Sequence, residues 1–172
     1  MNRFAIIGFG SSLRDGDRVI ARARNDIDAM TCTRVVSMSD IVRTAAFGGQ
    51  TLTPFWNAAC VVETTLTPLA LMSALHAVER AHGRVRVLRN AARALDLDVL
   101  LFEHCLSMTT TRPAVVVPHP GLGSRASALF PAREAWRRAE RHTQPHALRA
   151  RLSARGLMTS SGSFVRVDQR TA

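Results

Sequence analysis

Asp96 and Asp98 stand two residues apart in Arg93-Ala94-Leu95-Asp96-Leu97-Asp98-Val99-Leu100-Leu101-Phe102. Apolar residues alternate with others there, and neither Gly nor Pro interrupts, so the stretch reads as a strand. Side chains of a strand alternate between two faces. Leu95, Leu97, Val99 and Leu101 would share one apolar face that must be covered. Asp96 and Asp98 would share the other, followed there by Leu100 and Phe102. Carboxylates so spaced lie about 7 Å apart. They repel, and a hard divalent cation with oxygen ligands, above all Mg²⁺, suits the space between them. An edge strand with two hydrated acids is the plainer alternative.

The neighbours favour the metal. Arg84, Arg86, Arg89 and Arg93 crowd the run into the strand, and His119 and Arg125 follow it. The planar guanidinium matches phosphate oxygens and keeps its charge at any working pH. Mg²⁺ held by one or two carboxylates and by phosphates is a common nucleotide arrangement, so the set points to Mg-nucleotide binding and phosphoryl-type transfer. No Walker A sequence is present. Gly8-Phe9-Gly10 lacks the third glycine of a dinucleotide fingerprint and reads as a tight turn. The competing account of the arginines is a solvated loop or a nucleic-acid patch. Neither aromatic RNA-binding patterns nor zinc knuckles support the latter.

The elements that must position these groups follow in order. Phe4 to Phe9 reads as a buried first strand, and the turn after it leads into a helix with Asp15 or Asp17 near its N-cap. Val19, Ala23, Ile27 and Met30 form that helix's apolar stripe, with Arg18, Arg22 and Arg24 on a solvated face. Thr33–Val36 and Ile41–Thr44 are β-prone, as one bent strand or two short ones. Residues 45–54 read as a flexible loop and Trp56–Thr65 as a strand. Thr67-Pro68 opens a second helix that Gly83 ends. Leu71, Leu75 and Val78 mark its buried stripe, with Met72 and Glu79 beside it. Val115–Val117 is a short strand, Glu134–Glu140 a helix, and Ala147–Arg155 a further short helix within a loosely packed tail. The order β-α-β-β-α-β is that of a ferredoxin-like α/β (α+β) sandwich, with a largely antiparallel sheet and helices over one face. One domain would cover residues 1–140, and a basic polar extension residues 141–172.

The chain's 172 residues suit a single sizeable core. A hydrophobic share of 47% with near-zero mean hydropathy indicates a soluble globular protein. The net charge of +10 calls for acidic partners such as a polyphosphate ligand, an anionic surface or nucleic acid. Cys32, Cys60 and Cys105 show no metal or disulfide spacing and read as reduced, buried small hydrophobes in a cytoplasmic protein. No apolar run reaches membrane-spanning length, and no secretory signal is expected.

Several stretches together resemble a known family: Gly10-Ser11-x-Leu13, Thr44, Phe55-Trp56-Asn57-Ala58, Glu79, Gly83-Arg84, the Arg93 to Phe102 strand, and Pro118-His119-Pro120 with Arg125. In this order they are similar to the 6-hydroxymethyl-7,8-dihydropterin pyrophosphokinases of folate biosynthesis, over roughly residues 4–135. The resemblance implies transfer of the β,γ-diphosphate of ATP to the pterin hydroxymethyl oxygen, with release of AMP. It implies two Mg²⁺ on Asp96 and Asp98, with Arg93 beside them. Arg84, Arg86, Arg89, Arg93, His119 and Arg125 would hold ATP. Thr44, through its backbone, would line the pterin pocket with Phe47, Phe55 and Asn57; Asn57 would bond the ring edge and Phe55 stack on it.

Departures concentrate in the pterin half. The family usually has Asn at Ser12, Tyr at Val42, Pro at Ala45 or Ala46, and Trp-Gly-Pro where Asn90-Ala91-Ala92 stands. Its second stacking aromatic corresponds to Ser127. A paralogue acting on another pterin, as in methanopterin-type C1 pathways, is therefore the second reading. A non-catalytic ATP- or nucleic-acid-binding protein is the third.

Overall fold

The structure is a computed structural model, and it describes residues 2–44, 55–84, 93–105, 108–111 and 114–141. Phe47, Arg86, Arg89, the Asn90-Ala91-Ala92 stretch and the expected helix at Ala147–Arg155 lie outside the described residues.

Four strands form the body of an antiparallel sheet: β1 (Arg3–Ser11), β2 (Thr33–Met38), β4 (Phe55–Thr64) and β5 (Asp96–Phe102). Their spatial order is β2-β4-β1-β5, with the short β3 (Val42–Thr44) also paired to β4. Strand β1 lies between β4 and β5, which is the ferredoxin-like arrangement expected from the element order. A hairpin of β6 (Met108–Thr111) and β7 (Ala114–Val117) forms a second, small sheet.

Helices α1 (Gly16–Asp28) and α2 (Pro68–Ala81) cover one face. Ile20, Ala23 and Ile27 of α1 and Leu71 and Leu75 of α2 pack there on Ala5, Ile7, Cys60, Val62, Leu97 and Val99, all buried. At the start of α2 the Thr67 hydroxyl accepts from Ala70 N at 3.2 Å, with Pro68 in the first turn. Just past its end Gly83 takes φ +79°, where a side chain would be strained. Asp15 sits at the N-cap of α1 without a side-chain cap bond.

The opposite face is covered as well. Helix α3 (Ala126–Glu140) lays Leu129, Ala132, Ala135 and Trp136 on Ile6, Ala59, Val61 and Leu100. It begins eight residues before the expected Glu134, with Pro131 inside it. In the second turn a proline forgoes only one ladder bond, that to the Ser127 carbonyl, and the apolar face offsets that loss. The result is a three-layer arrangement rather than one covered face.

The register contains one irregularity of consequence. Ile7 pairs with Val99 but Ile6 with Leu101, so Leu100 is the extra residue of a β-bulge. The expected alternation holds through Leu100 and then shifts. Leu100 and Leu101 both join the α3 side, and Phe102 crosses to the α1/α2 side. Of the cysteines only Cys60 is a buried hydrophobe, its thiol pKa pushed well up by burial; Cys32 is exposed and Cys105 partly so, and all three are free. Among the described residues no helix is long and apolar enough to cross a membrane.

Candidate active site

A cleft of about 100 Å³ opens on the α3 side of the sheet, beyond the first turn of that helix. Strand β1 gives it Gly8 and Gly10, β4 gives Asn57, and β5 gives Asp96 and Asp98. His119, Arg125 and Ser127 close it from the chain after β7. Residues from four distant parts of the sequence thus meet at one opening.

Gly8-Phe9-Gly10 is not a turn. It lies within β1, where Gly8 pairs with Asp98 and Gly10 with Asp96. The glycines leave the floor beside both carboxylates bare, and a Cβ at Gly8 would come to 3.1 Å from the Leu100 side chain. Phe9, of opposite parity, enters the α1/α2 core.

Asp96 is held by two arginines. Arg84 Nη1 lies 2.5 Å from its Oδ1 and Arg93 Nη1 2.5 Å from its Oδ2. Asp98 faces the His119 imidazole, a counter-charge when protonated, with Nε2 at 3.9 Å from Oδ2. Its side chain is 40% exposed to the cleft, yet the surrounding walls keep off much of the bulk water. Burial, then the Asp96 charge, pushes its pKa above the usual aspartate value, and His119 opposes the rise. A carboxylate in that position is receptive to a cation.

The bulge places His119. Its N–H donates to the Leu100 carbonyl at 2.9 Å, the residue left out of register. Its Nδ1 accepts from Gly121 N at 3.1 Å, so in the neutral ring the proton sits on Nε2, the nitrogen nearer Asp98. A Cβ at Gly121 would crowd both His119 and the Arg125 stem at about 3.1 Å. Arg125 is exposed at the start of α3.

Ser11 and Ser12 fasten the run into β5. Ser11 Oγ donates to the Ala94 carbonyl at 2.7 Å, and Ser12 Oγ accepts from Arg93 N at 2.8 Å. Ser12 N also donates to the Arg93 carbonyl at 3.0 Å. Ser12, where the related family usually has Asn, therefore grips the backbone of Arg93. Glu79 is a further residue that spacing alone does not single out. It is 1% exposed and its Oε1 accepts from Leu97 N at 2.8 Å, between the two aspartates, while pairing with Arg84. Its place beside the buried stripe of α2, after Val78, and its part in the family resemblance were the sequence signals for it.

At the other end, the Asn57 amide donates to Thr44 Oγ1 at 2.7 Å and reaches the Phe55 carbonyl at 3.4 Å. Thr44 thus meets Asn57 through its side chain. Phe55, half-buried, lies two residues from Asn57 on the same strand face and pairs with Thr44. Asn57, Asp96, Asp98, His119 and Arg125 line the cleft itself. Arg84 and Arg93 join it through Asp96, and Thr44 and Phe55 flank Asn57.

The donor set fits Mg²⁺. Among the described residues no three His, Cys, Asp or Glu side chains converge to hold a metal. An ion here would combine the two aspartates with oxygens from outside the chain, as Mg²⁺ does beside nucleotides.

A family model described as 7,8-dihydro-6-hydroxymethylpterin-pyrophosphokinase (HPPK) matches residues 6–137. The 2-amino-4-hydroxy-6-hydroxymethyldihydropteridine pyrophosphokinase of Pseudomonas aeruginosa is 36% identical over 126 residues, 73% of this chain and 75% of that protein. The protein of the same name from Methylorubrum extorquens is 35% identical over 130 residues, 76% and 80% of the two chains. The folic acid synthesis protein fol1 of Schizosaccharomyces pombe is 28% identical over 76% of this chain, which spans 17% of that longer protein. Among solved structures, wild-type HPPK-DHPS of Plasmodium falciparum with pteroate superposes with TM-score 0.60 at 10% identity, over 90% of this chain and 44% of that one. An HPPK-DHPS in complex with substrates gives TM-score 0.58 at 13% identity, over 91% and 44%. The chain spans less than half of these two-part proteins, and at such identities the likeness is one of fold.

Proposed function

The chain belongs to the 7,8-dihydro-6-hydroxymethylpterin-pyrophosphokinase family, and from that membership we propose that it transfers the diphosphate of ATP to 6-hydroxymethyl-7,8-dihydropterin in folate biosynthesis. The hydroxymethyl oxygen bonds to the β-phosphorus, the bond from that phosphorus to the oxygen bridging to the α-phosphate breaks, and AMP leaves. The observation that supports this most is the meeting of Asp96, Asp98, His119, Arg125 and Asn57 around one cleft.

In this reading Asp96 and Asp98 hold two Mg²⁺. Bound there, the ions neutralise phosphate charge and lower the pKa of a coordinated hydroxyl. The chain's own work is positioning and electrostatics. Arg84 and Arg93, which grip Asp96, would be freed to bind phosphate oxygens were Asp96 to ligate a metal. His119 presents Nε2–H and Arg125 its guanidinium at the far wall, as phosphate donors. Arg86 and Arg89 belong to the same ATP set by the family resemblance, as Phe47 does to the pterin set. Thr44 and the Phe55 carbonyl take the amide hydrogens of Asn57, so the Asn57 side-chain carbonyl serves the pterin edge, with Phe55 stacking on the ring. ATP as co-substrate and three free cysteines support a cytoplasmic setting.

One observation favours a second acceptor. Ser127 lines the cleft where the family's second aromatic would stand, so a pterin with a different substituent would meet a smaller wall. The test is AMP release from Mg·ATP with and without 6-hydroxymethyl-7,8-dihydropterin, with Asp96→Ala/Asp98→Ala as control. Pterin-dependent AMP that vanishes in the control is the expected result. No AMP above the control would overturn the assignment of this acceptor.

A further inference from the structure

Glu79 lies outside every group assigned above to metal, ATP or pterin, yet its contacts are more confined than those of any other acid near the cleft. It sits on the buried side of α2, 1% exposed. A carboxylate there is costly unless it is paired and hydrogen-bonded, and two of its partners are informative. One is Leu97 N at 2.8 Å. Strand β5 ends the sheet, with β1 on its inner side, so this bond caps the outer edge midway between Asp96 and Asp98. The other is the Arg84 guanidinium, which also reaches Asp96 Oδ1 at 2.5 Å. The main chain adds a tie, Arg84 N to the Glu79 carbonyl at 3.0 Å.

We propose that Glu79 is a positioning residue for phosphate binding. It fixes the strand edge that carries the aspartates and keeps Arg84 over them. Arg84 shares its charge between two carboxylates of unlike freedom. Asp96 lies in the cleft and can exchange partners, whereas Glu79 is walled in and cannot. When Asp96 turns to a metal, Arg84 loses one anchor and retains the other, so its guanidinium stays beside the incoming phosphates instead of swinging into solvent. The side chain never touches substrate.

This inference rests on the pyrophosphokinase reading for its ligand, and its test works without turnover. Glu79→Gln keeps an acceptor for Leu97 N and removes the charge; Glu79→Ala removes both. Affinity for a Mg²⁺ complex of a non-hydrolysable α,β-methylene ATP analogue is measured by calorimetry. Thermal midpoints and affinity for 6-hydroxymethylpterin are measured alongside. Glu79→Gln should keep its melting temperature within a few degrees and its pterin affinity within twofold, while the ATP analogue binds at least tenfold more weakly. In an Arg84→Met background the same change should cost less than threefold, because the group that Glu79 positions is gone. Glu79→Ala should fall further in melting temperature, through the freed strand edge. Wild-type analogue affinity in Glu79→Gln would overturn the proposal. So would equal losses for both ligands, or a full tenfold loss in the Arg84→Met background. If the wild type binds the analogue but releases no AMP with this pterin, the acceptor assignment fails while the Glu79 result still stands.

Discussion

Replacing Asp98 by Asn should make the ligand-free protein more stable while removing its activity. Asp98 is a partly desolvated carboxylate beside a second one, with the His119 imidazole, a counter-charge only when protonated, 3.9 Å away at Nε2. Two charges about 7 Å apart on one strand face repel by about 2 kcal/mol at an effective dielectric of 20. Arg84 and Arg93 already neutralise much of Asp96, and 40% of the Asp98 side chain reaches the cleft. Screening therefore leaves about 1 kcal/mol or less. For a chain of 172 residues that is a rise in melting temperature of about 2–4 °C. The sign follows from linkage. A carboxyl whose folded pKa is raised is a burden above that pKa, and the burden is gone below the ordinary value of 3.8. The advantage of Asp98→Asn should thus be full at pH 8 and shrink as pH falls through the carboxylate range. The assay is thermal unfolding in EDTA across that range, repeated with Mg·ATP. At about 100 times its Kd a ligand adds about 2.7 kcal/mol, so Mg·ATP should reverse the order of the two proteins. A lower melting temperature for Asp98→Asn in EDTA at pH 8 would refute the reasoning, since Asp98 would then be supporting the fold.

Ser127→Phe should restore an aromatic wall to the cleft. A stacking partner contributes about 0.5–1.5 kcal/mol beyond burial, so pterin should bind about two- to tenfold more tightly by fluorescence titration, and unchanged or weaker binding would show that position 127 does not face the ring. Trp136→Ala should cost about 3–5 kcal/mol in urea unfolding, because Trp136 is fully buried where α3 meets the sheet. Trp136→Phe should cost less than half of that, since most of the packing remains and the indole N–H has no partner among the described residues; equal losses would mean that α3 is not held by this contact.

The chemistry was legible early because it is written in local spacing. Two acids at i and i+2 in an apolar strand share a face whatever the rest of the chain does, and Arg93, three residues before Asp96, lies near it by chain length alone. The α2 start was legible for the same reason: Thr67-Pro68 is a local signal, and its cap bond is present. What escaped depends on partners. Gly8 and Gly10 look like turn formers until β1 is set against β5 and they fall opposite Asp98 and Asp96. The early start of α3 is masked by Pro131, which reads as a boundary in isolation and is tolerated because the helix buries Leu129 and Trp136.

By itself, then, the sequence determined the β-α-β-β-α-β order of the body of the fold, the pair of carboxylates and the basic character of their surroundings, because periodicity and short spacing act within one element; the β6 strand was not among its readings. Tertiary structure decided which groups meet. The bulge at Leu100 exists only in the register between β1 and β5, and it leaves the carbonyl that holds His119 beside Asp98. The bond from Leu97 to Glu79 exists only because β5 is an edge strand against α2. Register, edge and bulge are properties of two strands or of a strand and a helix, and no single stretch of chain carries them.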